Sequence, residues 1–162
     1  MPIFEPARAP YPARMLSVLR IVAGLIFLSA GAMKLFGFPP PPVGVPPMAG
    51  VPGWEMQLAG ALETFGGAAI VLGLLTRPIA FLLAGEMAVA FFQVHFPISV
   101  FPTTNGGVAP VLFCFIFLYL VSAGPGEWSL DALLSRARRL RTLRMNPARR
   151  PSGGLVGLHY DL

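Results

Sequence analysis

The sequence has few charged residues, one cysteine and two histidines, and each shortage excludes a class of protein. Only 12% of its 162 residues are charged, while 55% are hydrophobic. Soluble domains carry roughly a quarter charged residues, so a soluble fold could not bury this much apolar surface. Because Cys114 is the single cysteine, an intrachain disulfide and a CxxC redox pair are both excluded.

The shortage of histidine and the distribution of charge exclude two further classes. With only His95 and the distant His159, bis-histidine haem ligation within a helix bundle is excluded, and one histidine with a few oxygens is a poor transition-metal site. We therefore predict no metal site and no covalently bound cofactor. The net charge of +5 comes from basic residues in the tails and one short loop, which argues against a nucleic-acid partner.

Long apolar stretches are what the sequence does have, and a membrane span takes about 20 such residues. Four stretches qualify, at residues 15–37, 54–75, 79–96 and 107–123. The proline-rich residues between the first two predict an irregular loop, and Thr76-Arg77-Pro78 predicts a tight hairpin between the next two. The fold prediction is therefore all-α, a four-transmembrane-helix bundle over residues 15–124.

The arginines predict the orientation of this bundle. All eleven fall at positions that the four spans place on one side, and the first and third connections carry no Lys or Arg. The positive-inside rule assigns that side to the cytoplasm, so both termini are predicted to be cytoplasmic, including an N-terminal arm at residues 1–14.

Residues 125–144 change character and predict a basic amphipathic helix. Leucines recur at helical spacing, and basic residues occupy the other faces. An interfacial helix on the anionic inner leaflet fits this pattern; a solvated helix or a docking helix for a partner is the alternative. The residues predicted to contact the membrane surface or a partner are Trp128, Arg136, Arg138, Arg139 and Arg141. Residues 145–162 are predicted to be a flexible cytoplasmic tail.

Two carboxylates fall inside predicted spans. Glu63 lies near the middle of the second span and Glu86 in the inner half of the third. A lone carboxylate in hydrocarbon costs a few kcal/mol or more, so each is predicted to face the bundle interior and to be paired, hydrated or protonated. From the hairpin, Glu63 lies at a height of about 18 Å and Glu86 of about 10 Å, which disfavours one shared proton.

A second polar group lies toward the outer side. It comprises Lys34, Glu55, Gln57, Gln93 and His95, with Asn105 nearby in the third connection. Lys34 can reach outward to Glu55 or back to Glu63, and either contact would offset desolvation. One interpretation is a site for a quinone headgroup or another polar-headed lipophile; the alternative is a buried ion pair that fixes helix register. The candidate ligand-binding or proton-relay residues are Lys34, Glu63, Glu86, Gln93 and His95.

Three segments together resemble the DoxX family of small four-helix membrane proteins. They are RIVAGLIFLSAGAMKLFGFP at 20–39, GALETFGGAAIVLGLLTRPIA at 60–80 and GPGEWSLDALL at 124–134. The resemblance implies a four-span bundle in a bacterial-type cytoplasmic (inner) membrane. It also implies a likeness to subunits of a thiosulfate:quinone oxidoreductase and to membrane redox or detoxification assemblies. The recurring polar positions that it implies are Lys34, Glu63, Glu86 and His95.

Two functions follow as hypotheses. The first is a quinone-interacting subunit of a membrane oxidoreductase, which binds quinone non-covalently and is not active alone. The second is a non-catalytic accessory subunit that stabilises a larger membrane complex. The expected partners are the lipid bilayer and either a membrane protein or a second copy of this chain. A transporter is disfavoured because four spans leave little room for an alternating-access core.

Overall fold

The computed structural model of the protein describes residues 11–41 and 51–145, and every regular element within those ranges is helical. In chain order these elements are α1 (Tyr11–Phe36), α2 (Gly53–Ala61), π1 (Leu62–Gly66), α3 (Gly67–Leu72), α4 (Thr76–Ala90), π2 (Phe91–His95), α5 (Pro102–Asn105), α6 (Val108–Ala123) and α7 (Leu130–Met145). The all-α prediction is confirmed for this part of the chain. Most of the predicted arm (residues 1–10), most of the first connection (42–50) and the predicted tail (146–162) lie outside the described residues.

Two helices are long and apolar enough to cross a membrane by length and composition. Pro12–Phe36 has 25 residues with a mean hydropathy of 2.0, and Thr76–His95 has 20 residues with a mean hydropathy of 1.4. At 1.5 Å per residue they extend about 37 and about 30 Å, against a hydrocarbon core of about 30 Å. The 16-residue α6 is a shorter apolar helix.

The turn between α3 and α4 lies earlier in the chain than predicted. Gly73 (φ 67°) and Leu75 (φ 48°) adopt left-handed conformations, whereas Thr76-Arg77-Pro78 forms the first turn of α4. The prediction of the hairpin at Thr76-Arg77-Pro78 was therefore wrong by three residues. Proline fits the first turn of a helix because its missing N–H has no intrahelical acceptor there, and glycine is the usual residue for a left-handed helix end.

Small residues bring α1 unusually close to α3 and π1. A Cβ atom added at Gly67 would lie 2.6 Å from the Leu28 nitrogen, and one at Gly24 would lie 2.8 Å from the Val71 nitrogen. At Gly31 an added Cβ would collide with the backbone nitrogen of Thr64. Because no side chain larger than hydrogen fits at these positions, the contact depends on glycine, as is common between membrane helices.

The buried core joins α1, α3, α4 and α6. Phe27 of α1 makes edge-to-face contacts with Phe117 and Phe113 of α6, at ring-centroid distances of 4.6 and 4.9 Å. Leu83 of α4 and Ile70 of α3 are fully buried in the same cluster. Aromatic pairs in this geometry stabilise a core beyond the area that they bury.

The outer surface of these helices is strongly apolar. Large side chains on α4, π1, π2 and α6 are well exposed, among them Phe81, Phe65, Phe92 and Phe115. Soluble monomers rarely expose contiguous apolar patches beyond a few hundred Å². This surface is suited to a hydrocarbon solvent, in which exposed apolar groups carry no cost.

A helix, α7, covers most of the predicted amphipathic segment. Ser129 precedes it, and its hydroxyl accepts a hydrogen bond from the Ala132 nitrogen at 3.1 Å, as an N-cap does. The described residues from Leu133 onward belong to a separate compact unit. Within this unit Leu133, Leu134 and Leu140 are exposed, and so are Arg136, Arg138 and Arg141. The side chain of Arg139 lies outside the described residues, and attachment of this helix to a membrane surface stays a prediction.

Candidate functional site

A cavity of about 790 Å³ opens among α1, α2, π1, α4, π2 and α6. Its volume lies within the range of small-molecule sites, about 300–1,000 Å³. Most of its wall is apolar and includes Phe27, Trp54, Phe81 and Phe113. Its polar lining comprises Lys34, Glu55, Glu63, Glu86, Gln93 and His95. The structure therefore brings all five candidate ligand residues, which lie on three separate stretches of sequence, to one cavity.

Lys34 and Glu63 form a buried ion pair in this cavity. The Lys34 Nζ donates to Glu63 Oε1 at 2.5 Å, and the two side chains are only 22% and 5% exposed. Of the two partners considered for Lys34, the structure selects the deeper one. Glu55 instead accepts a hydrogen bond from Gln93 Nε2 at 2.7 Å. Pairing offsets the desolvation of two charges that would each be costly alone in hydrocarbon.

Three carboxylate oxygens in the cavity have no hydrogen-bond partner among the described residues. They are Oε2 of Glu63 and both side-chain oxygens of Glu86, and all three are buried. Most buried polar atoms in proteins are hydrogen-bonded, and an unpaired one costs about 1–3 kcal/mol or more. These oxygens require a proton, water or a ligand as a partner.

Three of the six polar lining residues lie on the two π-helical segments. Glu63 belongs to π1, and Gln93 and His95 belong to π2. In π2 the Phe96 nitrogen bonds to the Phe91 oxygen at 2.8 Å, five residues back. Such segments widen the helix by one residue and are frequent at functional sites because they redirect side chains. In π1 the Thr64 hydroxyl donates to the Gly60 carbonyl at 2.7 Å. A hydrogen bond from threonine to the carbonyl four residues earlier bends helices.

His95 is held at the outer end of the cavity by the third connection. Its Nδ1 lies 3.0 Å from the Asn105 carbonyl oxygen. Asn105 is itself buried; its side chain donates to the Ser99 carbonyl at 2.7 Å and accepts from the Gly107 nitrogen at 2.7 Å. Asn105 therefore joins the polar group through its backbone. Gln57, the other residue of the outer polar group, is exposed and does not line the cavity.

A family model for DoxX matches residues 15–96. The chain belongs to the DoxX family. The matched stretch contains all five candidate residues of this DoxX-family cavity and ends just after π2. The third segment of the sequence resemblance, at residues 124–134, lies beyond it.

Two relatives cover most of this DoxX-family chain. An uncharacterized protein of Haemophilus influenzae is 37% identical over 124 residues, which are 75% of this chain and 91% of the relative. The inner membrane protein YqjF of Escherichia coli K12 is 33% identical over 119 residues, 74% of this chain and 91% of the relative. No solved structure matches. The DoxX-family chain is therefore a membrane protein whose surface contacts a lipid bilayer.

Sequence reasoning missed the role of Arg20 in this DoxX-family protein. Arg20 had served only to mark the cytoplasmic side, yet it is fully buried. Its guanidinium donates to the carbonyls of Pro125 at 2.8 Å, Val71 at 2.6 Å and Trp128 at 2.5 Å, and also to the carbonyl of Ile70. One guanidinium thereby binds four backbone carbonyls, of which that of Ile70 also accepts from the Gly73 nitrogen at 3.1 Å. The only sequence signal was an arginine already inside an apolar stretch.

Asp131 was also missed, and it organises the same end of the DoxX-family bundle. Its carboxylate accepts hydrogen bonds from the backbone nitrogens of Leu75 and Thr76, each at 2.9 Å. Burial raises the pKa of this carboxyl, but the hydrogen bonds from Thr76 and Leu75 and the positive charge of Arg20 outweigh it, so the pKa lies below its usual value. A carboxylate at the start of α4 satisfies two otherwise free donors and suits the helix dipole.

Trp128, one of the predicted surface residues, does not line the cavity. It is exposed, and only its backbone takes part in the contacts with Arg20 and Ser17. Among the described residues there is also no group of three or more His, Cys, Asp or Glu that could hold a metal ion.

Proposed function

We propose that the chain crosses the membrane four times, through α1, the continuous run α2–π1–α3, α4–π2 and α6, with both termini in the cytoplasm. Contacts at one end of the helices support this arrangement. Arg14 pairs with Glu127 at 3.7 Å, and Asp131 binds the turn before α4. The start of α1, the α3–α4 turn and the end of α6 thus share one side, as an even number of spans requires. That side carries the arginines, which favours the cytoplasm.

We further propose that the amphipathic segment beginning at Trp128 lies on the inner leaflet. Its support is the exposure of leucines and arginines along one helix, a combination suited to an anionic interface. Replacing Arg136, Arg138 and Arg141 with glutamine should then weaken association of residues 125–162 with anionic vesicles. Equal binding to neutral and anionic vesicles would contradict this attachment.

We propose that the cavity binds the headgroup of a small lipophile of the quinone class. The observation that carries this proposal is the pairing of an apolar wall with buried carboxylate oxygens that have no partner in the described part of the chain. Leu58, Phe81 and Leu82 line the cavity and are also more than half exposed. On the outer surface of a membrane bundle these residues face acyl chains, so the opening admits molecules that are already dissolved in the bilayer.

The residues present fit a quinone headgroup. Its chemistry, when bound, is two-electron redox coupled to protons. Lys34 supplies a donor and fixes Glu63, while Glu63 and Glu86 can accept or hold protons in a site whose wall is mostly apolar. We propose on this basis that the protein is a subunit of a quinone-linked membrane assembly. An accessory subunit that only stabilises such a complex is the competing function.

Gentle detergent extraction followed by mass spectrometry of bound quinones and proteins tests this proposal. The wild-type protein should retain quinone, whereas Glu63→Gln and Lys34→Met should lose most of it while remaining folded and inserted. Glu127→Gln is the matched control, because Glu127 is a partly exposed carboxylate at the other end of the bundle. Quinone retention that is equal in all four proteins would contradict the site. Partner co-purification without any quinone would favour the accessory function.

A further inference from the structure

The cavity presents buried hydrogen-bond acceptors that no described residue satisfies. Oε2 of Glu63 and both oxygens of Glu86 are buried acceptors without partners among the described residues. The Glu63 side chain is only 5% exposed, so it has little contact with bulk solvent. A ligand that brings hydroxyl donors satisfies these atoms, whereas a ligand that brings only carbonyl oxygens leaves them unsatisfied.

Several donors of the site already have partners. Gln93 Nε2 donates to Glu55, and one N–H of Lys34 donates to Glu63. The Nδ1 of His95 faces a carbonyl oxygen, which can only accept, so this nitrogen carries the proton. In the neutral ring the other nitrogen, Nε2, is then a further acceptor. The donors left on these residues are two N–H groups of Lys34 and the second N–H of Gln93.

Oε2 of Glu63 is an acceptor in either protonation state of Glu86. As a carboxylate, Glu86 offers two accepting oxygens. As a neutral acid it offers one donor and still one acceptor, and Oε2 of Glu63 remains an acceptor beside it. A ligand hydroxyl therefore has a buried carboxylate oxygen to bind in both states.

We propose that the site selects the reduced, hydroquinone form of its ligand over the quinone. The two forms have the same carbon skeleton and differ in that each ring oxygen is a hydroxyl donor in one and a carbonyl acceptor in the other. This inference rests on the proposed quinone-class function and adds the redox form that the cavity recognises. The recognising atoms are the free oxygens of Glu63 and Glu86.

Equilibrium binding of two probes to the full-length protein in lipid nanodiscs tests this inference. The probes are a decyl-substituted benzoquinol and the corresponding benzoquinone, measured without oxygen and corrected for partitioning into empty nanodiscs. The wild-type protein should bind the quinol about tenfold more tightly, which corresponds to about one net hydrogen bond. Because this comparison uses the unaltered protein, it does not depend on the folding of any variant.

A variant series identifies the atoms responsible. Glu86→Gln replaces an acceptor with an amide donor, so the ratio of quinol to quinone affinity should fall to about one or reverse. Glu127→Gln should leave the ratio unchanged. Equal or tighter binding of the quinone by the wild-type protein would overturn the inference and leave the quinone-class site standing. Failure of both probes to bind above empty nanodiscs would overturn the proposed function as well.

Discussion

Replacing Arg20 with methionine removes a fully buried guanidinium that donates to four backbone carbonyls. Methionine fills part of the same volume, so the main loss is of donors. A hydrogen bond from a charged group contributes about 1.5–3 kcal/mol. Because contributions within one network are not additive, we expect the free energy of unfolding to fall by about 4–6 kcal/mol, less than the separate contributions would suggest.

Arg14→Met is the matched control, on the same helix and with the same change in side chain. Arg14 is about half exposed and makes a single 3.7 Å contact with the partly exposed Glu127. Such surface pairs contribute little, so this variant should lose about 0.5 kcal/mol or less. Arg20→Lys should fall between the two, because a single ammonium cannot replace the fork that reaches Pro125, Val71 and Trp128 together.

The assay is reversible unfolding in mixed micelles, titrated with a denaturing detergent and followed by circular dichroism. All variants are compared in one lipid and detergent composition. A difference between Arg20→Met and Arg14→Met below about 1 kcal/mol would refute the reasoning, because it would mean that water or other groups satisfy the four carbonyls at little cost.

Three further predictions follow from the same contacts. Because the Asp131 pKa lies below its usual value, the contribution of this carboxylate to the free energy of unfolding should be fully present above about pH 4 and be lost as the pH falls through the lowered pKa. In unfolding titrations, Asp131→Asn should therefore be about 1 kcal/mol less stable than the wild-type protein at neutral pH, and its stability should depend less on acid. Gly31→Ala should destabilise the fold by about 1–3 kcal/mol, since the new methyl group would collide with Thr64, whereas Gly85→Ala, with nothing within 4 Å, should not; equal stability of the two variants would contradict the close packing. Alkaline phosphatase fused after Pro42 should be active, and alkaline phosphatase fused to the C-terminus should be inactive. An inactive fusion after Pro42, which would place this loop in the cytoplasm, would contradict the proposed orientation.

Much of the candidate site could be predicted from sequence. Lys34, Glu63, Glu86, Gln93 and His95 stand out because ionisable or amide groups are expensive within apolar stretches, and all five line one cavity. The residues at the opposite end could not be found in this way. Arg20 and Asp131 lie near the ends of apolar segments. A charged residue at such a position is ordinarily interpreted as lying at the membrane surface.

The amino-acid sequence by itself determined the helical class and the approximate extent of the helices. It also determined that the few charged side chains within the apolar stretches must face the interior of the bundle. These follow from the length of apolar runs and from the cost of placing each side chain in hydrocarbon, which are properties of single residues and local stretches. Tertiary structure alone decided that Lys34 pairs with Glu63 and not with Glu55, and that Arg20 binds carbonyls of two distant segments, the end of α3 and the connection between α6 and α7. Those choices depend on how closely the glycines of α1 let its neighbours approach and on where two π-helical segments redirect their side chains. Such distances between segments far apart in the chain are fixed only when the helices pack.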